Sequence, residues 1–109
     1  MSYLYNITFV TAPSLEHDFL DFARKELLPM LFNVESPARN PAMRKVIEVG
    51  GEVLAEDHGV SIALHAEFEF EDDARRWHDI FLAPALGKFT DKYGKEALFF
   101  VTLLESLPI

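Results

Sequence analysis

The segment Glu-Ala-Leu-Phe-Phe-Val-Thr-Leu-Leu-Glu at positions 96–105 constrains this chain more than any other stretch. It is short, rich in aromatic and β-branched residues, and bounded by Gly94 and Pro108, which are the marks of a strand. Side chains of a strand alternate between two faces. One face carries Ala97, Phe99, Val101 and Leu103, and the other Leu98, Phe100, Thr102 and Leu104. Both are apolar, so both need cover. A single layer of helices covers only one side of an antiparallel sheet. Whatever shelters the second side is the main question the sequence poses.

The rest of the chain supplies the partners of that strand. Tyr3–Thr11 alternates Tyr3, Tyr5, Ile7 and Phe9 against Leu4, Asn6, Thr8 and Val10. Leu15–Phe32 has apolar residues at helical spacing, with Ser14 as a candidate cap and Glu16 and Asp18 in the first turn. Pro29 interrupts that pattern and predicts a kink or a restart. Ala42–Val49 reads as a second strand, followed by a bulge at Gly50-Gly51 and a turn at Glu56-Asp57-His58-Gly59. Val60–Phe70 is the clearest alternation, with Val60, Ile62, Leu64, Ala66, Phe68 and Phe70 facing one way. Asp72 or Asp73 is expected to cap a second helix with the stripe Ala74, Trp77, Ile80 and Phe81. Pro84 is expected to break it, and a further helical piece carries Ala85, Leu86, Phe89 and Tyr93 to a stop at Gly94.

The order strand, helix, strand, strand, helix, strand predicts a single α+β domain over residues 1–109, with the ferredoxin-like βαββαβ arrangement of an antiparallel sheet and both helices on one face. The more apolar sets, including Tyr5, Ile7 and Phe9, Ile47 and Val49, and Ile62, Leu64, Ala66 and Phe68, are expected to meet the helices. The other face then holds Leu4, Asn6, Thr8, Val10, Arg44, Val46, Glu48, Ser61, Ala63, His65, Glu67, Phe100, Thr102 and Leu104. Left open, it would expose more apolar surface than the few hundred Å² monomers usually show. A twofold homodimer, sheet against sheet, is the commonest remedy.

Composition excludes several classes. With no cysteine there is no disulfide, thiol nucleophile or thiolate metal site, and a reducing, cytoplasmic setting is expected. A formal net charge of −8 disfavours nucleic acid. No basic segment precedes an apolar run at the N-terminus, and no apolar run approaches the roughly 20 residues of a membrane helix, so neither export nor a membrane is expected. His17, His58, His65 and His78 lack the close spacing of metal ligands, so no metal and no cofactor is expected.

Tyr5-Asn6-Ile7-Thr8, Leu28-Pro29, Ala83-Pro84 with Leu86, Tyr93-Gly94 and Thr102-Leu103-Leu104-Glu105 together resemble the domain-of-unknown-function 4286 family of small bacterial proteins, over nearly the whole chain. That family is similar to the dimeric α/β-barrel superfamily, in which ferredoxin-like protomers face each other across their sheets. The resemblance thus implies a homodimer. The wider superfamily includes cofactor-independent monooxygenases, haem-degrading enzymes, muconolactone-isomerase-like enzymes and ligand-sensing regulator domains. Leu82 and Val101 depart from the family pattern, which often has histidine and arginine at those places.

For chemistry, His65 stands out, mid-strand on the less apolar face with Ser61 and Glu67. It could serve as a general base or pH-sensitive group, although a histidine bonded to a neighbour across an interface is the more ordinary expectation. Asn6, Thr8 and Thr102 are candidates to orient a small ligand, against the alternative of strand polar residues paired with one another. Arg44 and Glu48 are expected to form a surface ion pair, and Trp77 to lie in the core. The favoured function is a ligand-binding or regulatory module. The alternatives are a cofactor-independent oxygenase or isomerase acting on a small apolar compound, with His65 as base, and a purely structural dimerisation module.

Overall fold

The computed structural model describes residues 2–47 and 59–109. The expected turn at Glu56–Gly59, the Gly50-Gly51 bulge, Val49, and Glu48 as the partner of Arg44 fall wholly or largely outside them. Four strands form one antiparallel sheet: β1 (Tyr3–Thr11), β2 (Arg39–Lys45), β3 (Val60–Phe68) and β4 (Ala97–Glu105), in the order β2-β3-β1-β4. Two helical arms pack on one face. The first comprises α1 (Glu16–Phe22), a wide turn at Ala23–Leu27 and α2 (Leu28–Leu31). The second comprises α3 (Glu71–Trp77), a wide turn at His78–Leu82 and α4 (Ala83–Tyr93).

Strand alternation decides what is buried. β1 hides Tyr5, Ile7 and Phe9, and β3 hides Ile62, Leu64, Ala66 and Phe68. Against them sit Phe19, Phe22, Leu27 and Leu31 from the first arm and Trp77, Leu82, Leu86 and Phe89 from the second. Aromatic rings fill the space: Phe9 lies 4.9 Å from Phe19 and 5.0 Å from Phe89, centroid to centroid, and Trp77 lies 5.2 Å from Phe68 and 5.5 Å from Tyr5. The Trp77 indole N–H donates to the Leu31 carbonyl at 2.9 Å, so the polar end of a wholly buried ring is satisfied and the two arms are tied together.

The prolines act alike in both arms. In each, the residue before proline donates its N–H five residues back, Leu28 to the Ala23 carbonyl and Ala83 to the His78 carbonyl. A proline has no N–H and its ring crowds the carbonyl four residues earlier. The wider turn relieves that crowding without ending the helix. Pro29 and Pro84 are thus each taken up by a wide turn in a continuous helical arm, so neither the restart expected at Pro29 nor the break expected at Pro84 occurs. The extra residue in the turn also rotates the apolar stripe. Leu82 is buried, while Ile80, expected in the stripe, is 62% exposed.

Four further expectations need correction. Ser14 sits in a short 3-10 turn (Pro13–Leu15), and no side chain caps α1. Neither Asp72 nor Asp73 caps α3; Phe70 holds that place and both aspartates lie in the first turn, where their charge faces the helix's positive end. Phe70 is consequently outside β3 and exposed, rather than on the inward face. β2 ends at Lys45, so Ile47 is beyond the sheet, 69% exposed, and does not meet the helices. Gly59 precedes β3 where a Cβ would stand 2.8 Å from Val10 Cγ1 and 2.9 Å from the Thr11 carbonyl oxygen, so any larger residue would force the strands apart there.

One polar link lies on the helical side. The Tyr93 hydroxyl donates to Asp18 Oδ2 at 2.7 Å, joining α4 to α1. Burial, reinforced by the Asp18 carboxylate, raises the Tyr93 hydroxyl well above the ordinary tyrosine range. The same bond, helped by Lys92, lowers the Asp18 carboxyl. A depressed carboxyl stabilises the fold above its unfolded value, near 4, and that contribution fades as pH falls through the folded value. A raised tyrosine stabilises it below about pH 10 and the contribution fades above. Tyr93→Phe is therefore expected to flatten both limbs of the stability–pH curve, measured by urea unfolding from pH 2 to 11. Unchanged limbs would show that the bond does not persist in solution.

Candidate functional site

The uncovered face of the sheet is built by the other half of each strand's alternation. Register fixes its rows. Leu4 lies between Glu67 and Leu104, Asn6 between His65 and Thr102, Thr8 between Ala63 and Phe100, and Val10 between Ser61 and Leu98. On β2, Ala42 is opposite His65 and Arg44 opposite Ala63. Leu98, Phe100 and Leu104 are 57%, 58% and 46% exposed on this face. The register also sets Arg39 opposite Glu67 at its edge.

The four candidate residues Asn6, Thr8, His65 and Thr102 thus come together at the centre. Asn6 occupies the middle strand with His65 and Thr102 on either flank, and its Nδ2 donates to Thr8 Oγ1 at 3.3 Å. Its Oδ1 is buried and has no hydrogen-bond partner among the described residues. A buried acceptor without a donor costs free energy.

His65 is held by Arg44, whose Nη1 approaches His65 Nδ1 at 3.2 Å. A guanidinium can only donate, so Nδ1 carries the lone pair. Nε2 is left as the ring nitrogen outside that bond. The strand pairing that brings Arg44 beside His65 was not legible from either segment alone. Glu67, two residues on along β3, shares the face by alternation, and that signal was available in the sequence.

These groups border an open concavity of about 550 Å³, lined by Arg44, His65, Glu67, Leu4, Ser2 and Ser106 among others. The hydroxyls of Ser2 and Ser106 meet at 2.9 Å, and the Ser106 N–H donates to the Ser2 carbonyl, which closes one end of the concavity with the two ends of the chain. Asn6, Thr8 and Thr102 are the neighbouring rows rather than its walls. Among the described residues no cluster of three or more His, Asp or Glu could hold a metal, and no helix is long and apolar enough to cross a membrane. His78 is engaged elsewhere, its Nδ1 3.0 Å from the Tyr5 hydroxyl and the rings stacked on the helical side.

A four-stranded antiparallel sheet in this order, with both helical arms on one face, is the ferredoxin-like fold. The chain belongs to the family described as Domain of unknown function (DUF4286), whose model matches residues 2–107. No curated protein matches the sequence. Among solved structures, the chain is similar to a dimeric ferredoxin-like protein from an uncultured marine organism, at TM-score 0.51 and 10% identity over 99% of this chain and 98% of that one. It is also similar to a monooxygenase from Streptomyces coelicolor, the product of ActVA-Orf6, in complex with Nanaomycin D. There the TM-score is 0.52 and the identity 15%, over 99% of this chain and 93% of the other. At these identities the likeness is one of fold.

Proposed function

We propose that two copies of this chain pair through their uncovered sheet faces, and that the space between them holds a small molecule, making the protein a homodimeric ligand-binding or regulatory module. The observation that carries the reading is a half-exposed apolar strand face, Leu98, Phe100 and Leu104, with no helix over it. Pairing removes that face from water. A second copy is the fitting occupant because charge does not oppose it. The protein carries −8 overall, yet among the described strand residues the charged side chains that register puts on this face are Arg39, Arg44 and Glu67. A twofold axis can set such unlike charges against each other.

The enzyme reading draws on one observation as well: His65 and Glu67 line the same concavity, so an imidazole and a carboxylate are near each other. In that reading His65 acts as base once Nδ1 is released from Arg44, and Asn6 and Thr102 orient the substrate. The Streptomyces monooxygenase shares the fold, which makes such chemistry feasible without assigning it.

Native mass spectrometry of gently purified protein tests both parts. The expected spectrum at micromolar concentration shows twice the 12.4 kDa chain mass with added mass from a retained small molecule. A monomer alone overturns the pairing. A dimer that neither carries nor takes up a small molecule leaves a structural pairing module.

A further inference from the structure

We propose that the concavity beside β2 binds a compact amphoteric acid, a molecule with a carboxylate at one end and an amine or hydroxyl at the other. The proposal rests on the ligand-binding reading above and names the chemistry of the ligand. At one end stand Arg44 and His65. Arg44 uses one guanidinium nitrogen on His65 Nδ1, which leaves its other N–H groups for a ligand. Those groups make an end that only donates and carries positive charge. A carboxylate meets both requirements, whereas a neutral carbonyl answers only the hydrogen bonds.

The other end carries the carboxylate of Glu67, with Arg39 across the strand pair from it at the edge of the face. Glu67 follows His65 by two residues on the same strand face, so the two side chains leave the sheet about 7 Å apart. A carboxylate accepts only, and beside it the Ser2–Ser106 hydroxyl pair has an unused acceptor and donor. An amine or hydroxyl suits that end. The gap is short enough for a single small molecule to touch both. Between them the floor is Leu4 and Ala42, which accommodates a few methylene groups but not a large ring system. The walls are mainly polar, which sets this site apart from the small apolar compound of the alternative enzyme reading. The small molecule sought in the homodimer is on this view charged at both ends, and the second copy roofs it.

Amide NMR titration of the isotopically labelled dimer tests the assignment. The probes are 4-aminobutyrate, butyrate, which lacks the amine, and 4-aminobutyramide, which lacks the carboxylate. Saturable shifts at Ala42–Arg44 and His65–Glu67 are expected with 4-aminobutyrate, and at least about tenfold weaker binding with each of the others. Arg44→Met should erase the preference for the acid over the amide. Glu67→Gln should erase the preference for the aminated acid over butyrate. Both positions are at the surface, and their spectra will report intact folding. Equal binding of the three probes, or shifts confined to other parts of the molecule, overturns the proposal. A retained molecule in native mass spectrometry that none of the acids displaces sinks the ligand class alone. An empty dimer whose rear-face resonances no probe moves removes the ligand-binding reading along with it.

Discussion

Phe100→Glu is expected to convert the protein from dimer to folded monomer at micromolar concentration. Phe100 is more than half exposed in the protomer and lies on the face away from the helices, so the protomer should tolerate the change. In the proposed sheet-to-sheet dimer the same position would be buried, and twofold symmetry would bury the new carboxylate twice. Each buried, unpaired ion costs several kcal/mol. At about 1.4 kcal/mol per tenfold, the dissociation constant should rise on the order of a thousandfold or more. Sedimentation equilibrium reads the mass directly, and circular dichroism reports whether the protomer is intact. Val34→Glu is the control, since Val34 is wholly exposed in the segment between α2 and β2 and should leave the mass unchanged. If the Phe100 variant sediments as the parent does, the uncovered face is not where the copies meet.

The second large effect is in the core. Trp77→Ala should destabilise the protomer by about 3–5 kcal/mol, because the indole is fully buried against Tyr5, Phe32 and Phe68. It also strands the Leu31 carbonyl that the indole N–H satisfies, adding roughly 1–3 kcal/mol. Domains of this size are commonly stable by only about 5–15 kcal/mol, so the variant is near the limit of folding. A fall in midpoint of roughly 15 °C or more is expected by circular dichroism. Trp77→Phe refills most of the volume and loses only the hydrogen bond, so its midpoint should lie between. The comparison has to be made at one protein concentration, because pairing adds to apparent stability by mass action. Equal midpoints for the two variants would mean that the cavity contributes nothing beyond the lost bond.

These expectations divide according to how local their causes are. β1 spans Tyr3–Thr11 as its alternation predicts, and Gly94, with φ of +55°, ends α4 where a residue without a Cβ was expected to. The misplacement of Ile80 has a local origin too, but one invisible to a fixed helical period. The wide turn before Pro84 inserts a residue and shifts the stripe to Leu82. Ser14, Asp72 and Asp73 have the residue types that favour a cap, but the chain enters each arm through neighbouring positions.

By itself the sequence determined the element order, the two-faced apolar character of β4 and the gathering of polar residues on one side of β1 and β3, because period-two alternation is a property of each strand alone. Only the tertiary structure decided which strands neighbour one another and in what register. That is why it could set Arg44 against His65, leave the side-chain Oδ1 of Asn6 without a donor among the described residues, and bring Ser2 to Ser106 from far apart in the chain. Pairing register depends on partners far apart in the chain, and a slip of one residue would send every one of those side chains to the other face.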